Sequence, residues 1–282
     1  MADDLVTPAD GLTMVPNIVF TADAGRPLRL HLLRPEVPSG RPLPTIVWIF
    51  GGAFRMGGKD DEIARLVPLV QHGYAAAAID YRYSSEALFP AQVHDCKCAI
   101  RFLRAHSADF TLDPDRIGAW GASSGGYLAT MLGTTDGVPE LEGERGWPDV
   151  SSRVQAVCDW FGPTDFLQMN GAGSSQDHDA PESPESELIG GPIQQYPDRV
   201  ARANPINYIA AQRALPPFLV MHGDQDPLVP YNQSALLVAA LQQGGADVRF
   251  HRVVGGGHGG ALFATDEINA MVAAFFDTHL RP

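Results

Sequence analysis

The sequence predicts a doubly wound α/β fold with a mostly parallel sheet. Apolar runs of strand length recur along the chain, and most are near-continuous hydrophobics, as in strands buried on both faces. Helical patterns with recognisable caps fall between them. The 282 residues are expected to form a single domain, because an α/β chain of this length commonly builds one core.

Taken in order, "NIVFTADAGRPLRLHLLRP" (17–35) reads as a polar-edged hairpin that adds an antiparallel edge. "TIVWIF" (45–50) and "YAAAAIDYR" (74–82) are buried strands. "PAQVHDCKCAIRFLRAHSADF" opens a helix at Pro90 and sets Val93, Cys96, Ile100 and Leu103 on one stripe. "RIGAWG" (116–121) and "VQAVCDWFG" (154–162) are two more strands. From Asp165 to Asn207 the rhythm breaks into Gly, Ser, Asp and Pro, which predicts a cap or lid over the strand ends at about residues 165–207. Within it Ser183 can cap a short helix with Pro184 at its first position. "PFLVMHG" (217–223) and "DVRFHRVVG" (247–255) complete the strands. The helix "YNQSALLVAALQQGG" runs into a Gly pair suited to a C-terminal cap, and "TDEINAMVAAFFDTHL" starts at an N-cap, Thr265.

Composition excludes several function classes. Against 33 acidic side chains stand 20 basic ones, a formal charge of −13 with no Lys/Arg cluster, so nucleic acid and anionic lipid are not expected partners. No apolar run reaches the roughly 18 residues of a membrane span. The acidic start "MADDLVTPADG" lacks the apolar core of a signal peptide, which points to the cytoplasm, or to secretion if a leader has been removed. Cys96, Cys98 and Cys158 have no metal-like spacing and read as buried thiols. "QDHDAPESPESE" matches no EF-hand and reads as a solvated loop. No metal or organic cofactor is expected, and the composition leaves a homo-oligomer open.

The sharpest signal is Gly121-Ala122-Ser123-Ser124-Gly125. It fits G-x-S-x-G and falls between a predicted strand and a predicted helix, the context in which a serine is left exposed on a sharp turn. Ser123 is centred between the glycines; Ser124 is not. A serine hydroxyl needs a base, and the base needs an orienting carboxylate, in chain order Ser, acid, His. His251 lies inside a strand pattern and His279 near the end, whereas His258, in "GGGHGG", has the loop setting a base requires. Asp224 and Asp226 both follow a strand; Asp226 reaches further into its loop and is favoured, Asp224 reads as structural, and His222 as a satisfied core histidine. The strand "TIVWIF" empties into Gly51 and Gly52 because a loop must approach the reacting carbon. Backbone N–H groups of Gly52, Ala53 and Ser124 are then the candidate oxyanion donors. Phe54, Tyr127, Trp160 and Phe161 fall near strand ends or the elbow and are candidates to line a substrate pocket.

On "DYRYS", "FPAQVHDCKCAIRFLR", "DPDRIGAWGASSGG", "WFGPTD", "SPESELIGG", "ANPINYI", "HGDQDPLVPYNQS" and "GGGHGG" the chain resembles the α/β-hydrolase superfamily. More narrowly it is similar to bacterial esterases related to hormone-sensitive-lipase-type, feruloyl and acetyl-xylan esterases. The resemblance implies a cofactor-free serine ester hydrolase of small-molecule, short-chain or aromatic acyl esters, with nucleophile Ser123, acid Asp226, base His258 and donors Gly52, Ala53 and Ser124. The sequence departs from that pattern twice: Phe50 stands where a His usually precedes the glycines, and Ser124 where Ala usually follows the nucleophile. An arylformamidase-like amide hydrolase and a silent ligand-binding hydrolase fold are the alternatives.

Overall fold

The computed structural model describes residues 11–36, 40–210 and 214–281; the acidic start, residues 1–10, lies outside them. Eight strands form one sheet: β1 (Leu12–Thr21), β2 (Leu28–Pro35), β3 (Leu43–Ile49), β4 (Ala75–Ile79), β5 (Leu112–Ala122), β6 (Ala156–Trp160), β7 (Phe218–Gly223) and β8 (Val248–Val253). Their order is β1-β2-β4-β3-β5-β6-β7-β8. β1 pairs antiparallel with β2, and β2 antiparallel with β4; the other pairs are parallel. The hairpin is the antiparallel edge its sequence predicts.

Both faces of the central strands are buried, which is why their sequences do not alternate. Val47, Ile49, Ala77, Ala119, Val157 and Val220 face one core, with the helices Ala91–Ala105, Ser124–Thr134 and Asn232–Gln243. Ile46, Trp48, Ala76, Ala78, Trp120, Cys158 and Met221 face the other, with Ile63–Gln71 and Asp266–Leu280. β8 departs from expectation: as the outer strand it carries only one buried residue, Val253, and leaves the rest half-exposed or exposed. Ser183 and Thr265 cap their helices through backbone N–H groups of Ser186 and Ile268. The three cysteines are buried free thiols. Among the described residues no helix is long and apolar enough to cross a membrane.

The segment Asp165–Asn207 folds into short helices, chiefly Pro184–Ile189 and Pro197–Ala203. Within it "QDHDAPESPESE" is not the solvated loop its composition suggests, because His178, Ser183, Glu185 and Ser186 are all buried. The reason is local: Ser183 caps the helix, and its hydroxyl donates to that of Ser186 at 2.8 Å, so the polar residues of the first turn satisfy one another and can face inward. Arg55 ties the segment down through the Glu187 carboxylate at 2.8 Å and the Glu182 carbonyl.

A very tight crossing lies where β3 ends against the helix after β5. A Cβ on Gly125 would sit 2.0 Å from the Ile49 carbonyl oxygen. Gly125→Ala is therefore expected to lower stability by roughly 3 kcal/mol, the upper end of ordinary single-residue effects, since the obstacle is backbone. Denaturant unfolding checks this; an unchanged midpoint would show that the helix moves aside freely.

Candidate active site

The parallel strands β3, β5, β6, β7 and β8 end on the same side of the sheet, and the loops leaving them converge there. Ser123 follows β5 with φ 56° and ψ −124°, a backbone state that L-residues rarely adopt and that costs on the order of 1–3 kcal/mol. It is held by neighbours: Ser123 N–H donates to the Trp160 carbonyl at 2.8 Å, and Tyr127 N–H donates to the Ser123 carbonyl at 3.0 Å.

Ser123 Oγ lies 2.9 Å from His258 Nε2, and His258 Nδ1 lies 2.7 Å from Asp226 Oδ2. With Nδ1–H donated to the carboxylate, Nε2 is left with the lone pair that can accept the serine proton. Asp226 Oδ1 accepts from the backbone N–H groups of Leu228 at 2.8 Å and Val229 at 3.0 Å. His222 Nε2 stands 3.4 Å from its Oδ2. Burial alone would push the Asp226 pKa up, but hydrogen bonds from His222 and His258 outweigh it and hold the group at about 2. Asp226 is thus a fixed negative charge beside His258.

The neighbouring candidates fall elsewhere. Asp224 accepts from Gly255 N–H and Arg252 Nε, both at 2.8 Å, and so pins the turn before the His258 loop. His222 is buried, with Nδ1 2.7 Å from Ser234 Oγ and Nε2 2.9 Å from the Val229 carbonyl.

The glycine loop turns back on itself through φ 131° at Gly52, 55° at Ala53 and 60° at Phe54. Its carbonyls are engaged: Arg55 and Met56 N–H donate to Gly52, and Ser84 N–H donates to Phe54. Among the described residues the N–H groups of Gly52 and Ala53 donate to no protein acceptor, and that of Ser124 opens its helix, where the first N–H groups have no intrahelical partner. Support for the loop comes from an aromatic stack. Phe50 lies on Tyr81, ring centroids 4.3 Å apart and planes at 13°. The Tyr81 hydroxyl is 3.2 Å from both the Phe50 carbonyl oxygen and Ser124 Oγ.

A cavity of about 450 Å³ opens over Ser123 and His258. Phe54, Trp160 and Phe161 line it, and the Phe161 ring stands 4.6 Å from that of His258. Tyr127 does not line it. Its ring is fully buried behind Phe54, edge to face at 5.4 Å, and its hydroxyl donates to the Ala203 carbonyl at 2.7 Å; one turn into the helix, it faces the core.

Three groups escaped the sequence reading. Tyr81 follows β4, and only its place in "DYRYS" marked it. His178 and Glu185 line the cavity from the segment 165–207, concealed in an acidic composition. Asp159 is buried beneath the elbow, where Oδ1 accepts from Gly162 N–H at 3.0 Å and Oδ2 has no partner. Burial raises its pKa to about 7 despite the nearby His222.

A mostly parallel eight-stranded sheet between two helical layers, with a serine on the turn between strand and helix, is the α/β-hydrolase fold. Within it the chain belongs to the BD-FAE family, whose model matches residues 30–241. It is 31% identical over 214 residues to Esterase LipQ of Mycobacterium tuberculosis, covering 76% of this chain and 49% of that one; the chain spans about half the length of the curated relatives it matches. Among solved structures it is similar to a truncated carbohydrate esterase from gut microbiota, with TM-score 0.87, 32% identity, and 96% and 98% of the two chains covered. It is also similar to an acetyl ester-xyloside bifunctional hydrolase from Caldicellulosiruptor lactoaceticus, with TM-score 0.74, 25% identity and 97% of each chain covered.

Asp159 sets a pH dependence of stability. Below about pH 4 both folded and unfolded chains hold its proton; between about 4 and 7 only the folded chain does; above about 7 the folded chain carries the buried charge. Stability therefore falls as pH rises through that window, by at most about 1.4 kcal/mol per pH unit. Asp159→Asn keeps the acceptor for Gly162 and removes the titration, so its Tm relative to the parent is expected to rise between pH 5 and pH 8. Parallel Tm profiles would sink the assignment.

Proposed function

We propose that this protein is a serine carboxylic-ester hydrolase acting on short-chain or aromatic acyl esters through an acyl-enzyme, with Ser123 as nucleophile, His258 as base and Asp226 as acid. The observation that carries this reading is the unbroken hydrogen-bonded line from Ser123 Oγ through His258 to Asp226 at the foot of an open cavity. His258 Nε2 takes the hydroxyl proton as Oγ bonds to the ester carbon. The carbonyl oxygen gains the negative charge, facing the free N–H groups of Gly52, Ala53 and Ser124. Collapse of this adduct breaks the bond to the alcohol oxygen, which leaves with the proton from His258. Water, deprotonated by the same imidazole, then adds to the acyl carbon and releases the acid.

Each named donor is worth on the order of 2.7–4 kcal/mol of transition-state stabilisation in enzymes of this kind. The fixed charge of Asp226 stabilises the imidazolium formed in both halves of the cycle. Esterase and carbohydrate-esterase relatives support the reaction class, and an acetyl ester hydrolase among the similar structures fits a short acyl group. The reading extends to architecture: one domain, with 165–207 as a cap that contributes Gln176, His178, Pro184 and Glu185 to the cavity wall.

Two measurements check it. Ser123→Ala is expected to reduce kcat on a nitrophenyl acetate by about 10⁴-fold or more. Ser124→Ala should keep most of kcat, because it keeps the backbone donor, while losing roughly 1 kcal/mol of stability with its hydrogen bond to Tyr81. Equal loss of turnover in both would overturn the nucleophile. Phe50→Ala removes the ring stacked on Tyr81, and misplaced donors weaken the transition state more than the bound ester. Its kcat should therefore fall more than its KM rises; a folded variant with parental kcat would show that the loop needs no support there.

A further inference from the structure

Glu185 and His178 are 3% and 2% exposed, yet both line the cavity over Ser123. A buried carboxylate is costly unless its oxygens are matched, and that of Glu185 is matched on one side only. Oε2 lies 3.0 Å from His178 Nδ1; Oε1 accepts no hydrogen bond among the described residues. Nor is Oε1 sealed in the interior, as the unpartnered Oδ2 of Asp159 is. It is an acceptor at the cavity wall.

The pair is built to hold that acceptor still. His178 Nε2 lies 3.0 Å from the Leu228 carbonyl and 2.9 Å from Ser174 Oγ. Acceptors at both ring nitrogens call for two N–H donors, the imidazolium form; burial disfavours that form, but the Glu185 carboxylate outweighs it and raises the His178 pKa. His178 already holds the other oxygen, so a partner for Oε1 needs no charge of its own. Of the other charged groups lining the cavity, Glu62 is already paired with Arg65 at 3.1 Å, and Asp61 and Oε1 itself disfavour a ligand carboxylate. A neutral hydroxyl offers the one thing missing, a donor.

We propose that Glu185 Oε1 is a subsite for a hydroxyl group of the ester substrate, so that the enzyme selects esters bearing an O–H donor over the same esters with that donor capped. This rests on the ester-hydrolase reading of Ser123. The hydroxyl can belong to the acyl or to the alcohol part, and paired substrates separate the two. Methyl 4-hydroxycinnamate against methyl 4-methoxycinnamate reads the acyl side; 4-hydroxycyclohexyl acetate against 4-methoxycyclohexyl acetate reads the alcohol side.

In one pair the parent enzyme is expected to favour the hydroxyl ester by tenfold or more in kcat/KM, as sites that hydrogen-bond a substrate hydroxyl do. That ratio should collapse toward one in Glu185→Gln, whose carbonyl can stay on His178 while its NH2 faces the cavity as a donor. Because the readout is a ratio, a general loss of activity does not move it. Glu185→Asp keeps the charge but withdraws the oxygen, and it should lower the ratio as well if the Gln variant folds poorly. A parental ratio near one in both pairs, or a ratio unchanged in both variants, overturns the subsite while leaving ester hydrolysis intact. No turnover of any of the four esters overturns the hydrolase reading and the subsite together.

Discussion

The close approach of backbones at the end of β3 and the start of the helix Ser124–Thr134 is the constraint on which the rest of the site depends. Gly125 packs against the Ile49 carbonyl with no room for a side chain, and a Cβ on Gly121 would meet the Gly125 carbonyl oxygen at 2.1 Å. That contact fixes the turn carrying Ser123 against the loop carrying Gly52 and Ala53. It thereby holds the proposed nucleophile close to the loop of proposed oxyanion donors, where a Cβ on Gly51 would lie 3.2 Å from that of Ser123. The unfavourable backbone angles of Ser123 persist because Trp160 and Tyr127 hold it from two sides.

Two buried carboxyls on neighbouring strand ends show how environment divides chemistry. Asp226 gathers two backbone donors and stands beside two imidazoles, so it stays charged at any physiological pH. Asp159 receives one backbone donor, and burial carries its pKa to about 7. The first orients the proposed base with a permanent charge. The second, which changes charge near pH 7, fills the space under the elbow between Gly126 and Gly162, where a Cβ would lie 2.3 and 2.6 Å from its Oδ1.

Most of the fold was legible because parallel strands buried on both faces leave an unmistakable apolar run, as "TIVWIF" and "VQAVCDWFG" do. Ser123, Asp226 and His258 were legible as candidates because each sits at a strand end marked by glycine or aspartate, and the structure brings them within hydrogen-bond reach. Tyr127 misled because an aromatic one turn into a helix looks the same in sequence whether it faces cavity or core. The buried pair His178 and Glu185 was hidden for a different reason. Burial there comes from hydroxyls capping one another and from Arg55, 127 and 132 residues distant in sequence from its two contacts, and no local window carries that information.

The segment 165–207 is coupled to the Asp226 loop as well as to the cavity. Ser175 donates through both N–H and Oγ to the Pro227 carbonyl, and Ser174 Oγ and His178 reach the Leu228 carbonyl. Pro227 and Leu228 lie in the loop whose backbone N–H groups hold Asp226. Lifting the segment would break these bonds, each worth on the order of 1 kcal/mol net, together with the ion pair of Arg55 to Glu187 next to the glycine loop. Movement of the segment away from the cavity would therefore loosen both Asp226 and the glycine loop. On the cap reading proposed above, these bonds make the segment a fixed wall of the cavity rather than a lid that swings with each turnover.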